Sequence, residues 1–209
     1  MYATVETDQS LTMRLRQGQP VVFKSDLSKE EFHRYLLRNP ELRIERDKHG
    51  IVTIHPFMSY DSGISEGDAF FFLKLWAKQH PRLGKVFSPS TSFNMPDGSD
   101  YKADGAFISM QKHNSLTEDE RKHIASIVPD FVMEVRSNTD SINKLKKKME
   151  EAWIANGVRL AWLIDPIKQK AWVYRLDGSS EDVPDFSYTL NGEDVLPGFE
   201  LKLSELIEE

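Results

Sequence analysis

Cysteine is absent from all 209 residues. Disulfide bonds and thiol chemistry are therefore excluded, and a reducing compartment fits, so we expect a cytoplasmic protein. The sequence also lacks an apolar run long enough to cross a bilayer, and we expect no membrane association. Residues 1–10 are polar and show no apolar core of a signal peptide, so we expect no such leader.

An excess of positive charge is missing too. The net charge is −6, so the molecule as a whole does not have the basic character of a nucleic-acid-binding protein, and such binding would need a local basic surface. Its six histidines are scattered, with no pair at the spacing of a zinc site. With 39% hydrophobic and 29% charged residues, the composition is typical of globular domains. We expect one domain over residues 1–209, with residues 1–20 peripheral or poorly ordered.

Helical and strand patterns follow one another along the chain. Ser28 to Glu31 has the pattern of a capping box that opens a helix, and residues 42–44 and 51–54 flank a turn and predict a hairpin. Further helices are predicted at 64–79, 115–127 and 142–156, further strands at 85–90, 91–95, 103–108, 131–135, 160–164 and 170–176, and an acidic loop at 178–185. This order predicts a mixed α/β (α+β) layer architecture, with an N-terminal helix and hairpin.

Glu134 interrupts the apolar strand Phe131–Val135. A carboxylate in a strand that is buried on both faces is costly unless it is paired or binds a metal. The alternative is an edge strand with Glu134 on its solvated face.

Asp104 is a second acid in a predicted strand with small and apolar neighbours. Two strand carboxylates, completed by water and a backbone carbonyl, make an oxygen site suited to Mg²⁺ or Mn²⁺. Such a cation could polarise a phosphate and lower the pKa of an attacking water. Glu66, in a predicted helix, is a third candidate, although an acid near the start of a helix can simply complement the helix dipole.

Candidate cations follow Glu134. The apolar stripe Ile142, Leu145, Met149 and Trp153 turns one helix face to the core, which places Lys148 at the border of that face and Lys147 opposite it. The lysine run can equally be a solvated helix face. Arg136 lies two residues after Glu134, and so on the same strand face if the strand continues.

Several segments resemble the Uma-two family of putative restriction endonucleases, within the PD-(D/E)XK nuclease superfamily. The resemblance runs from about residue 20 to the C-terminus and is most specific from Asp130 to Pro166. Its segments are 129–137, 148–151, 154–166, 87–93, 95–98 and 195–199. The resemblance implies a restriction-endonuclease-like core, with a mixed central sheet flanked by helices, and the activity of a metal-dependent nuclease. Asp104 would match the acid of the first motif, Glu134 the second acid, and Glu66 the helical acid that supports a metal-bound water.

Two features depart from the superfamily pattern. Ala103 stands where proline is expected before Asp104; the literal Pro-Asp at residues 129–130 lies too close to Glu134 to replace it. Arg136 stands where a lysine is expected, and arginine cannot serve as a base. The resemblance then assigns the lysine to the following helix, with Lys148 as the best match and an extra residue near Ala152 leaving Lys147 as the alternative register.

Three hypotheses follow. The first is a Mg²⁺- or Mn²⁺-dependent DNA endonuclease in which Asp104 and Glu134 hold the metal, Glu66 assists, and Lys148 and Arg136 position water and phosphate. The second is an inactive nuclease-fold protein that binds nucleic acid or a protein partner. The third is a small structural protein with surface acids. We also expect a homodimer, since two copies suit a double-strand cut, and aromatic segments around Trp162 and Trp172 could supply the surface, although core packing explains them equally well.

Overall fold

The computed structural model describes residues 17–207. The prediction of a peripheral N-terminal segment falls mostly on residues 1–16, which lie outside the described range. Within this range the α-helices are, in chain order, α1 Lys29–Arg38, α2 Tyr60–Gln79, α3 Met110–Ser115 and α4 Ile142–Lys148. The strands are β1 Val21–Lys24, β2 Ile44–Arg46, β3 Ile51–Ile54, β4 Gly84–Phe87, β5 Ser92–Asn94, β6 Asp100–Lys102, β7 Gly105–Ser109, β8 Phe131–Val135, β9 Leu160–Asp165, β10 Lys170–Arg175, β11 Ser180–Val183, β12 Thr189–Asn191 and β13 Glu200–Lys202.

A six-stranded mixed sheet forms the centre of the fold, in the order β11-β10-β9-β8-β7-β4. Strands β8 and β9 are parallel, whereas β7 pairs antiparallel with β8. Both central strands are buried along their whole length, which explains their nearly continuous apolar sequences. Since β8 lies between β7 and β9, the edge-strand alternative for Glu134 is wrong.

A five-stranded sheet contains the predicted hairpin, in the order β1-β3-β2-β6-β5. Its strand β2 touches β6 through the pair Arg46 and Asp100. The chain leaves β6 at Lys102 and enters β7 of the central sheet at Gly105. Asp104 therefore lies at the junction of the two sheets, next to the hairpin.

Helices cover both faces of the central sheet. On one face, Leu73 and Trp76 of α2 pack in a core cluster with Met133 and Trp162. On the other face, Met149 and Trp153 pack with Val132 and Leu163 in a second cluster. Trp162 is fully buried and Trp172 is 7% exposed, so these tryptophans belong to the core and do not supply the surface for a dimer that we considered.

The helix predicted at residues 115–127 is wrong. The capping contacts between Thr117 and Glu120 do form, but they open a single 3₁₀ turn, Glu120–Lys122. Beyond it the chain runs irregularly beside β5, where the Asn94 amide donates to the Ala125 carbonyl at 3.2 Å. A cap can start a helix, but without an apolar stripe to bury there is little to prolong it. The acidic loop predicted at 178–185 is also wrong in part, because β11 forms there.

Helix α4 continues into one π-helical turn, Met149–Trp153, and then a 3₁₀ turn, Ile154–Asn156. In the π turn the Ile154 amide donates to the carbonyls of Glu150 and Met149. A π turn accommodates one residue more than an α turn, and such bulges recur at functional sites. It coincides with the extra residue near Ala152, and it keeps both Met149 and Trp153 fully buried.

Candidate metal centre

The strand pairing brings Asp104 and Glu134 together. Gly105 at the start of β7 is paired with Met133 in the middle of β8, and the Asp104 amide donates to the Met133 carbonyl at 3.0 Å. Glu134 points to the same side of β8 as Val132, toward the cluster that contains Trp153. Asp104 is 2% exposed and Glu134 is 1% exposed, so neither acid is a surface residue, and the third hypothesis, a structural protein with surface acids, is not supported.

Each of these carboxylates has one oxygen held by the fold. The Val135 amide donates to Asp104 Oδ2 at 2.7 Å. The indole Nε1 of Trp153 donates to Glu134 Oε1 at 2.9 Å. The remaining oxygens, Asp104 Oδ1 and Glu134 Oε2, both face the guanidinium of Arg43, at 2.6 and 3.5 Å from its Nη1 and Nη2.

Lys148 reaches the acids from α4, as the apolar stripe predicts. Its Nζ lies 2.8 Å from Glu134 Oε1 and 2.8 Å from Glu45 Oε1, and it donates to the Lys102 carbonyl at 3.0 Å. The Lys148 side chain is 12% exposed, whereas that of Lys147 is 69% exposed and lies 3.6 Å from Glu151. Burial acts to lower the pKa of Lys148, but the charges of Glu134 and Glu45 outweigh it and raise the pKa, so the ammonium stays protonated.

Glu66 approaches from α2. The helix begins at Tyr60, with Ser59 as its N-cap and Asp61 as the acid of its first turn, so Glu66 belongs to the second turn. A dipole effect is confined to the first turn, and that alternative therefore loses its support. Glu66 lines a cavity of about 60 Å³ together with Asp104 and Glu134, and its Oε2 is buried without a hydrogen-bond partner among residues 17–207.

Two glutamates of the site have raised pKa values. Burial raises the pKa of Glu66 to about 8, and the charge of Asp104 adds to the effect. Burial also raises the pKa of Glu134 to about 7, with Asp104 adding to the shift and Lys148 opposing it. Both carboxyl groups therefore gain protons more readily than ordinary glutamates, chiefly because burial disfavours their charged form.

Arg136 is not part of this arrangement. Strand β8 ends at Val135, and the side chain of Arg136 turns to the α2 side of the sheet. Its Nη1 lies 2.7 Å from Asp165 Oδ2, and its Nε donates to the Asp140 carbonyl. The expectation that Arg136 shares a face with Glu134 is wrong, because the strand does not continue.

The sequence pattern missed two participants, Arg43 and Glu45. Glu45, on β2, is 5% exposed and accepts from the Lys102 amide and from Lys148, while His55 lies 3.1 Å from its other oxygen. Burial alone would raise the pKa of Glu45, but the charges of Lys148 and His55 hold it well below its usual range. The alternation of apolar and charged residues from 42 to 45 was the available signal, yet such alternation usually marks a solvated face.

The two oxygens that face Arg43 are of the type that a divalent cation prefers. Within residues 17–207 no three histidine, aspartate or glutamate side chains converge on one point as a complete metal cage. Two carboxylates completed by water are nevertheless the usual protein contribution to a Mg²⁺ site. The donors are hard oxygens, the partnerless Glu66 Oε2 faces the same cavity, and a guanidinium already bridges the two acids, so the position suits positive charge.

A groove of about 530 Å³ adjoins the site. It lies between the hairpin and α4, and Lys148 and His55 line both the groove and the smaller cavity. Three further lysines line it, at positions 48, 144 and 147, alongside several acids. An extended polar substrate could therefore reach the acids along this groove.

Comparison with known proteins agrees with the fold. The structure is similar to the crystal structure of a putative nuclease belonging to DUF820 from Anabaena variabilis ATCC 29413, with a TM-score of 0.69 over 86% of this chain and 97% of that chain, at 20% identity. This similarity confirms the nuclease-like mixed fold. No curated protein matches the sequence. Among residues 17–207 no helix is long and apolar enough to cross a membrane. The family model described as putative restriction endonuclease, Uma2, matches residues 29–204, and the chain therefore belongs to the Uma-two family.

Proposed function

We propose that the protein is a metal-dependent endonuclease that hydrolyses DNA phosphodiester bonds. The observation that carries the proposal is the buried acid pair, in which Arg43 contacts one oxygen of each carboxylate, with the Lys148 ammonium beside it. Membership of a restriction endonuclease family supports both the reaction class and DNA as the substrate.

Asp104 Oδ1 and Glu134 Oε2 would hold Mg²⁺ or Mn²⁺, which when bound would offset phosphate charge and lower the pKa of an attacking water. Lys148 stays protonated, so it orients water and stabilises the charge that develops on the phosphate. Glu66 lines the same cavity and would assist by accepting a proton from water, because a cation bound at the acid pair would favour its ionised form. Arg136 has no role in this mechanism, because it is bound to Asp165.

The alternative is a nuclease fold that binds nucleic acid or a partner without cutting. Its support is Arg43, whose guanidinium already neutralises the pair, together with the incomplete cage among residues 17–207. We also propose a cytoplasmic location, and a homodimer in which two copies deliver a double-strand cut. Light scattering that shows a monomer at high concentration would rule out the homodimer.

A plasmid-nicking assay with Mg²⁺ or Mn²⁺ tests the proposal. Asp104→Asn should abolish nicking while the protein stays folded, because it removes one of the two ligands. Asp165→Asn is the matched control: Asp165 is also a buried aspartate at a strand end bound to an arginine, but it lies outside the acid pair. Binding of DNA without cleavage by the wild type would favour the alternative.

A further inference from the structure

Arg43 takes the position that a divalent cation would need. The acid pair has four oxygens, and two of them are held by the fold: Asp104 Oδ2 by the Val135 amide, and Glu134 Oε1 by Trp153 and Lys148. The other two are the oxygens that Arg43 contacts, at 2.6 and 3.5 Å. A cation shared by Asp104 and Glu134 through their free oxygens would have to take these same two atoms.

The guanidinium is held in a way that allows it to leave. Arg43 precedes β2, and its side chain is 26% exposed, so a path to solvent exists. Its Nε is buried without a hydrogen-bond partner in the described structure. Arg175 makes a useful contrast, because it too contacts two carboxylates, Glu181 and Glu193, but it adds an Nε bond of 2.7 Å to Glu193.

We propose that Arg43 is a positioning residue that holds the two metal-facing oxygens and is exchanged for the divalent cation when the cation binds. This inference rests on the proposed function. In the absence of metal the guanidinium keeps two neighbouring carboxylates aligned and neutralised. Arginine cannot be deprotonated in this setting, so it leaves as a charged side chain, and the guanidinium and the cation compete for Asp104 Oδ1 and Glu134 Oε2.

Competition predicts that the arginine weakens metal binding. Mn²⁺ titrated calorimetrically at one fixed pH should bind Arg43→Gln about tenfold more tightly than the wild type, since the loss of one competing charged hydrogen bond corresponds to roughly 1.4 kcal/mol. The matched control is Arg175→Gln, which removes an arginine of similar exposure, 28%, that also contacts two carboxylates away from the acid pair. It should bind Mn²⁺ as the wild type does. Equal or weaker binding by Arg43→Gln would overturn the exchange.

A second measurement does not depend on the glutamine variant folding. In ¹⁵N spectra of the wild-type arginine side chains, the Nε signal of Arg43, assigned with Arg43→Lys, should shift when Mg²⁺ is added, while that of Arg175 should not. An Arg43 signal that stays in place at saturating Mg²⁺ contradicts the exchange.

The two proposals fail in different ways. If the wild type nicks DNA with Mn²⁺ but Arg43→Gln binds Mn²⁺ no more tightly, the exchange is wrong and the nuclease stands. If the wild type neither binds Mn²⁺ nor nicks DNA, both are wrong.

Discussion

Two buried carboxylate sites lie at the ends of neighbouring central strands, and they differ in charge balance. At the end of β9, Asp165 is matched by Arg136 at 2.7 Å and accepts from the Lys168 amide at 3.1 Å. At the end of β8, four carboxylates, those of Glu45, Glu66, Asp104 and Glu134, share Arg43 and Lys148.

This difference in charge balance distinguishes an ion pair that stabilises the fold from a candidate functional site. One carboxylate with one guanidinium and an amide satisfies its charge within the fold, as buried ion pairs must. The second site has more carboxylates than cations, leaves the Glu66 Oε2 without a partner among residues 17–207, and through burial raises the pKa of two glutamates. Such imbalance is costly unless a ligand relieves it, and a divalent cation would do so.

The largest effect is expected at Lys148. Lys148→Gln should lower nicking by about 10²-fold or more, the loss typical of removing one group that stabilises developing charge. Lys147→Gln is the control from the same helix, and it should change little because its side chain is mostly exposed. Thermal melts must accompany the assay, since leaving Glu45 and Glu134 without their lysine is expected to cost about 3–5 kcal/mol. A dead Lys147 variant beside an active Lys148 variant would reverse the assignment.

Mn²⁺ should stabilise the folded protein by binding at Asp104 and Glu134, and not at Asp165. A ligand at a hundred times its dissociation constant adds about 2.7 kcal/mol to the free energy of unfolding. For a domain of this size that raises the Tm by roughly 5–10 °C. The gain should disappear in Asp104→Asn and persist in Asp165→Asn when Tm is measured with and without Mn²⁺. An equal gain in both variants would place the metal elsewhere.

A double-mutant cycle measures the coupling between Arg136 and Asp165. Arg136→Gln and Asp165→Asn should each destabilise the fold, and their combination should cost less than the sum, with a coupling of about 1–3 kcal/mol for groups in direct contact. Urea unfolding of the four proteins gives the coupling. Additive effects would mean that Arg136 and Asp165 do not depend on each other, and Arg136 would again be available for another role.

The sequence predicted the central strands and Lys148 because local rules are sufficient for them. The apolar run of β8 and the stripe of α4 determine burial, and burial determines which lysine turns inward. Arg43 and Glu45 could not be found this way, because their role depends on the hairpin meeting Asp104, a contact between segments 61 residues apart for Arg43. The same limit applies to Arg136, because the side of the sheet on which its side chain lies depends on where strand β8 ends. The helix predicted at residues 115–127 is wrong for the opposite reason, because a local cap does not by itself determine a whole helix.

The smallest effect concerns Glu66 and pH. Its pKa is about 8 in the folded protein against 4.5 ordinarily, so the folded state binds the Glu66 proton more tightly than the unfolded state does. The stability that this proton contributes is therefore fully present below about pH 4.5 and is lost as pH rises toward 8.

The wild type should consequently lose more Tm than Glu66→Gln between pH 5 and pH 9. We expect a difference of about 4 °C, given roughly 2–4 °C per kcal/mol and a carboxyl group partly reached by solvent. Saturating Mn²⁺ should shrink the difference, because a cation at the acid pair favours the ionised carboxylate. Melting curves of both proteins at the two pH values, with and without Mn²⁺, measure it. Parallel losses of Tm in the wild type and Glu66→Gln without metal would show that burial and the charge of Asp104 do not raise the pKa of Glu66.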